Sequence, residues 1–396
     1  MNKAKTNWIL IALASVPLMM TLGNSMFIPI LPLMEKELSI SSVQSSYLIT
    51  AYSVVAIFCI PIAGFLSDKF GRKRVIIPAL IVTAIGGLIA GLAASFLEES
   101  YRIILMGRIL QGIGASGAMP IVIPLVGDLF NKEEASATLG KIETANTAGK
   151  VLSPIVGSSL TMLVWYLPFY AIPVLSIISC LLIFFSIDAE KQEVSEPIKD
   201  NMNRVKKVFQ EHKQWLFTIF YTGAVLMFVL FGYLIFLSDV LENKHDFTGV
   251  VKGLFLAIPL LALSTTAYIT GRLIKFDRAK MRRWSIYGFV LVIVSNGLVS
   301  MVDNYKVLLF IYTICSIGIG VILPCLDAFI TKTIEEKIRG IVTSFYSAMR
   351  FLGVAIGPPI ATALLGFDKL YMIAMFITVS LLSVIVIFKY LKINKV

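Results

Sequence analysis

Two long apolar runs, roughly residues 43–66 and 75–96, meet at the charged stretch Gly64-Phe65-Leu66-Ser67-Asp68-Lys69-Phe70-Gly71-Arg72-Lys73-Arg74. Runs of about 20 apolar residues are long enough to cross a bilayer as helices. So short a connection holds no domain, and it reads as a tight turn between two spans. Gly64 and Gly71 suit close helix approach and a sharp change of backbone direction. Lys69, Arg72, Lys73 and Arg74 place four cations in one loop, which puts that loop on the cytoplasmic side. Asp68 is the lone acid among them. Composition agrees: 57% of the 396 residues are hydrophobic, only 15% are charged, and the mean hydropathy is +0.86. A soluble domain averages about 25% charged residues. The expected fold class is therefore an all-α integral membrane protein.

The net charge of +11 would suggest nucleic acid in a soluble protein. Here the basic residues fall mainly in alternate short loops, so they set topology, and the expected partners are a lipid bilayer and a small molecule rather than nucleic acid. Cys59, Cys180, Cys315 and Cys325 lie singly inside apolar runs, without disulfide or metal spacing. His212 and His245 fall in loops. No phosphate-binding G-x-x-x-x-G-K-[ST] pattern, nucleophile elbow or metal-ligand cluster occurs, so neither an enzyme nor a cofactor is expected.

Span 1 is expected at about residues 8–30, followed by a nearly neutral outer loop at Glu35-Lys36-Glu37. Span 4 is expected over about 102–127, span 5 over about 139–164, and span 6 to about 187. Residues 188–213 form the one long polar stretch, and its basic second half reads as a helix on the cytoplasmic membrane surface. The second half of the chain then repeats the first. Pro120 and Pro324 are 204 positions apart, as are Gly114 and Gly318, Pro154 and Pro358, and Gly149 and Gly353. One offset serving two separate spans argues for a duplicated set of six. The expectation is twelve spans in two pseudo-symmetric bundles, 1–187 and 214–396, joined by 188–213, with both termini cytoplasmic in the cell membrane.

Polar residues inside the spans carry the chemistry. Arg108 in span 4, Lys150 in span 5 and Arg350 in span 11 are deep cations. A charge at membrane depth costs at least about 2.5–3.5 kcal/mol, so each needs water, a partner or a ligand. Arg108 reads either as a cavity residue or as a satisfied packing charge. Glu143 in span 5 and Asp327 in span 10 are the candidate proton carriers. Glu143 precedes Lys150 by seven residues, about 20° off the same face and about 10 Å toward the cytoplasm, with Asn146 between them. A cavity richer in cations than acids favours an anionic or carboxylate-bearing substrate, held by Lys150, Arg350, Arg108 and Asn146. The alternative is that the cations only neutralise Glu143, Asp327 and helix carboxyl ends.

Four stretches carry a family resemblance. The pattern G-x-L-x-D-x-x-G-R-K-R between spans 2 and 3 resembles the signature loop of the major facilitator superfamily, and Arg108-Ile109-Leu110-Gln111-Gly112 resembles its R-x-x-x-G pattern. Gly149-Lys150-Val151-Leu152-Ser153-Pro154-Ile155-Val156-Gly157 is similar to the span-5 signature of the drug:proton antiporter branch, with Ser153 and Ser158 in place of glycines. Gly353, Gly357 and Pro358 reproduce that packing pattern in span 11. Ile28-Pro29-Ile30-Leu31-Pro32 resembles the span-1 ending of the same branch. The resemblance implies a monomeric, proton-coupled exporter working by alternating access. It also implies a conformational gate of Gly64, Asp68, Gly71 and Arg72 with Asp128. A small anionic metabolite such as a carboxylate siderophore, lipophilic drugs, or an imported nutrient remain as cargo.

Overall fold

The computed structural model describes residues 3–130, 132–187, 208–274, 277–334 and 336–391. All regular structure among them is helical. The helices are α1 (Lys3–Ser25), α2 (Leu31–Leu38), α3 (Ser42–Phe70), α4 (Arg72–Phe96), α5 (Tyr101–Ser116), α6 (Met119–Leu129), α7 (Lys132–Thr161) and α8 (Leu167–Ser186). Then follow α9 (Lys213–Asp239), α10 (Gly249–Leu273), α11 (Arg278–Val299), α12 (Tyr305–Thr333), α13 (Glu336–Leu365) and α14 (Lys369–Tyr390). Ten described helical segments are long and apolar enough to cross a membrane. Helices α7 and α11, of 30 and 22 residues, have span length but more charge. Large side chains such as Phe58, Phe96, Phe185 and Phe388 stay exposed, which suits a surface facing lipid.

Two expectations need correction. The charged stretch at 64–74 is not a loop: α3 runs to Phe70 and α4 begins at Arg72, leaving Gly71 alone at φ 95. Only glycine holds that conformation without steric cost. The expected loop Glu35-Lys36-Glu37 is the end of helix α2. Pro29 and Pro32, which have no N–H to give, open a 3₁₀ turn at Ile28–Ile30 and then α2, so the chain restarts there rather than ending. Glu35 accepts from Ser42 (2.6 Å) and Ser45 (2.7 Å) at the head of α3, which ties the two helices across the short turn. Span 4 falls where expected, as one membrane-length segment Tyr101–Leu129, bent where α5 ends at Ser116 and α6 begins at Met119 with Pro120 in its first turn. The expected surface helix of the linker lies largely outside the described residues. Residues 208–211 are helical, with the Phe209 ring 5.3 Å from Phe345.

The chain divides into two compact units, Met1–Ser195 with Gly249–Gly253, and Glu196–Thr248 with Leu254–Val396. Each is held by glycine contacts. In the first unit, a Cβ on Gly86 would lie 2.6 Å from the Gly107 carbonyl oxygen, and one on Gly107 equally close to that of Gly86. In the second, Gly288 and Gly318 stand in the same relation, at 2.7 and 2.6 Å. Without a hydrophobic drive between helices in lipid, such close backbone approach is how they adhere. The span-5 signature works the same way: Gly157 faces the Met26 carbonyl, and in the second unit Gly353 faces that of Ala224 and Gly357 that of Phe228.

Candidate functional site

Arg72 gathers three helices at the α3–α4 junction. Its Nη1 donates to Ser67 Oγ (2.8 Å) and to Asp68, and its Nε to Asp128 Oδ2 at 3.1 Å. Asp68 closes α3, Arg72 opens α4, and Asp128 lies in the last turn of α6. The Arg72 side chain is only 18% exposed, while the carboxylates are half exposed. Such partly wet pairs are worth at most about 1 kcal/mol each, so this knot can break without unfolding anything. Next to it, Lys73 Nζ donates to the carbonyl oxygens of Phe184 (2.8 Å) and Ile187, and so caps the carboxyl end of α8.

Arg108 is fully buried. Nε donates to the Leu48 carbonyl at 2.9 Å, Nη1 to Gly23 O (3.1 Å) and Gln111 Oε1 (2.6 Å), and Nη2 to Asn24 Oδ1 (2.9 Å). The rings of Phe27 and Tyr52 lie 4.5 and 4.9 Å from its guanidinium carbon. A planar fork with five donors suits this joint recognition of α1, α3 and α5 better than an ammonium would. Of the two readings of Arg108, this surrounding favours the packing tie.

On α7, Asn146 is buried, Lys150 is half-buried and Glu143 is exposed. Asn146 Nδ2 donates to both Glu143 oxygens, at 3.1 and 3.3 Å, and its own oxygen accepts from Thr21 of α1. Ser153 is buried and returns its hydroxyl to the Lys150 carbonyl at 2.9 Å, so it packs like the glycine it replaces. In the second unit Asp327 is exposed on α12, Arg350 is half-buried on α13, and both act electrostatically on the Tyr346 phenol. The Arg350 guanidinium carbon lies 5.7 Å from the Tyr346 ring centre.

Four residues at these sites were not singled out by sequence. Gln111 is three positions from Arg108, on the same helix face, a spacing that offered a signal. Tyr346 is four positions from Arg350 on α13, a spacing that offered the same kind of signal, while Thr21 and Asn24 carry none, because their partners lie on other helices. A fifth, Lys252, stands out as a cation at the head of an apolar run. It is 1% exposed and donates to the Pro29 carbonyl oxygen.

Two helical units with matching glycine contacts and lipid-suited exteriors define a multi-pass membrane protein built on an internal repeat. The sequence pattern of the Major Facilitator Superfamily matches residues 13–358 and 277–395. The chain belongs to that superfamily and is a membrane transporter. It is 47% identical over 359 residues to the bacillibactin exporter of Bacillus subtilis (strain 168), covering 90% of this chain and 89% of that one. It is 25% identical over 365 residues to Multidrug resistance protein 2 of the same organism, covering 90% and 88%. The crystal structure of a D-xylose-proton symporter matches with a TM-score of 0.82 at 12% identity, covering 99% of this chain and all of that one. That last likeness speaks for the fold alone.

Proposed function

We propose that the chain is a proton-coupled exporter of a small anionic molecule, a siderophore being the sharpest case, acting by alternating access in the cytoplasmic membrane. The observation that carries this reading is the 47% identity, over nine-tenths of the chain, to a protein named as the bacillibactin exporter. The half-buried cations Lys150 and Arg350 support an anionic cargo, since each gains from an anion what burial takes from it. Glu143 is the proposed proton carrier, with Asp327 as the second candidate. Arg72, Asp68 and Asp128 form the proposed cytoplasmic gate, and both termini are proposed to be cytoplasmic. The protein is read as a monomer.

Everted membrane vesicles carrying an imposed proton gradient test the reading, with bacillibactin and a cationic dye offered in parallel. Gradient-dependent uptake of bacillibactin supports it. Uptake of the dye alone would favour lipophilic drugs, the cargo suggested by the 25% identity to Multidrug resistance protein 2. Inward movement in whole cells would make the protein an importer.

A further inference from the structure

Gly149 lets α1 and α7 approach closely: a Cβ there would lie 3.0 Å from the Leu18 carbonyl oxygen and 3.2 Å from Thr21 Cβ. At this contact Thr21 departs from the habit of other helical threonines. Thr83, Thr144, Thr222, Thr313 and Thr378 each donate to the carbonyl four residues back in their own helix. Thr21 donates across the gap to Oδ1 of Asn146. An amide whose oxygen is held in this way turns its NH₂ in the opposite direction. There Nδ2 meets both Glu143 oxygens, at 3.1 and 3.3 Å.

We propose that Thr21 is a positioning residue for the coupled proton: it holds the Asn146 amide against Glu143 and so joins the charge state of Glu143 to α1. This rests on the reading of Glu143 as the proton carrier. A hydrogen bond donated to the ionised form of an acid favours that form. When Glu143 takes a proton, the charge-assisted bond from Asn146 weakens, and so does the tie it anchors to Thr21. Protonation on one helix thereby loosens its link to the next. The span-5 glycine gains a second role, since a side chain at position 149 would press on Thr21 at the contact that holds Asn146.

Among the described residues, the other charged and titratable groups near α7 are few. Helix α1 carries ionisable residues only in its first turn, Lys3 and Lys5. Helix α6 brings Asp128, engaged by Arg72, and α8 brings Tyr170, within 3.0 Å of the Ser95 hydroxyl, and Cys180. The Ile28–Ile30 turn has none, and the segment 249–253 brings Lys252, bonded to Pro29. On α7 itself lie Lys132, Glu133, Glu134, Lys141 and Lys150.

The test is infrared titration of the purified full chain in liposomes. The protonated-carboxyl band lost in Glu143→Gln reports Glu143, and its pH midpoint is followed in Thr21→Val and Thr21→Ser. Thr21→Val should move the midpoint upward by at least about half a pH unit, while Thr21→Ser, which keeps the hydroxyl, stays within about 0.2 units of the parent. Asn146→Leu should shift it in the same direction, and it serves if Thr21→Val fails to fold. An unchanged midpoint in a folded Thr21→Val or Asn146→Leu protein overturns the proposal. Proton-driven bacillibactin uptake by Glu143→Gln vesicles is measured alongside. Its survival would remove the coupling role of Glu143, while the infrared midpoint still decides whether Thr21 positions that acid.

Discussion

Phe184 and Phe388, 204 positions apart, occupy the same place in the two repeats. The carbonyl oxygen of each accepts from a basic side chain near the start of another span, Lys73 at 2.8 Å and Arg282 at 2.7 Å. The ring of each carries that cation, at 5.1 and 5.0 Å. Helix carboxyl ends leave carbonyls without partners, and a cation there meets both the orphaned oxygens and the helix dipole. Lys73→Ala and Arg282→Ala should each cost about 1 kcal/mol, read as a fall of about 2–4 °C in Tm. Because the two caps lie in separate units, the double variant should lose the sum. A double variant no worse than either single one would show that the caps are not independent.

The gate prediction follows from Arg72 holding two acids at once. Asp68→Asn should slow transport at least about tenfold while expression and membrane insertion stay near normal, because each pair is worth at most about 1 kcal/mol to the fold. Arg72→Lys should also impair it, since an ammonium cannot reproduce a fork that donates through Nε and Nη1 together. Turnover at the parent rate in Asp68→Asn vesicles would remove the gating role.

Glycine packing gives a paired test. A Cβ on Gly353 would sit 2.0 Å from the Ala224 carbonyl oxygen, whereas one on Gly140 of α7 meets nothing within 4 Å. Gly353→Ala should destabilise by about 1–3 kcal/mol. Gly140→Ala should be neutral or stabilise by up to about 1 kcal/mol, through lower backbone entropy in the unfolded chain. Equal melting temperatures for the two variants would contradict the packing account.

Asp303, in the turn before α12, is held below the ordinary carboxylate range by a hydrogen bond from Lys369 at 2.7 Å and by the charge of that ammonium. A carboxylate lowered in the folded state stabilises it above the unfolded value, about 3.9. That contribution is lost as pH falls through the lower folded value. The parent should therefore melt slightly above Asp303→Asn at pH 7, and the gap should close in acid, below about pH 4. The exposure of Asp303, 79%, keeps the effect small. A gap that widens in acid would reverse the sign of the argument.

Much of this architecture was legible before any coordinates. Apolar runs located the spans, and the 204-residue offset seen at Pro154 and Pro358 returns in the caps at Phe184 and Phe388. What was not legible depends on packing between helices. The stretch at 64–74 looks like a loop because it is charged, yet its flanks stay helical to within one residue, with Arg72 satisfied by acids on two other helices. Arg108 advertised itself by its charge, but its partners Leu48, Gly23 and Asn24 are set by where α1 and α3 pass. Thr21 is silent in sequence, since only the missing side chain at Gly149 brings it to Asn146.

Lys150 is the proposed substrate contact, a half-buried ammonium one residue from the close α1–α7 approach at Gly149. Lys150→Ala should weaken bacillibactin binding at least about tenfold, roughly 1.4 kcal/mol, with Lys150→Arg retaining more than Lys150→Gln. Equal affinities across the three variants would make the lysine structural.

Proton movement tests the central claim most directly. Proteoliposomes holding a trapped pH dye, with no gradient imposed, receive bacillibactin on one side. The account predicts a proton flux opposite to the movement of the siderophore, absent in Glu143→Gln. Bacillibactin crossing the bilayer with no accompanying change in the dye, or no crossing at all while a cationic drug moves protons instead, would contradict it.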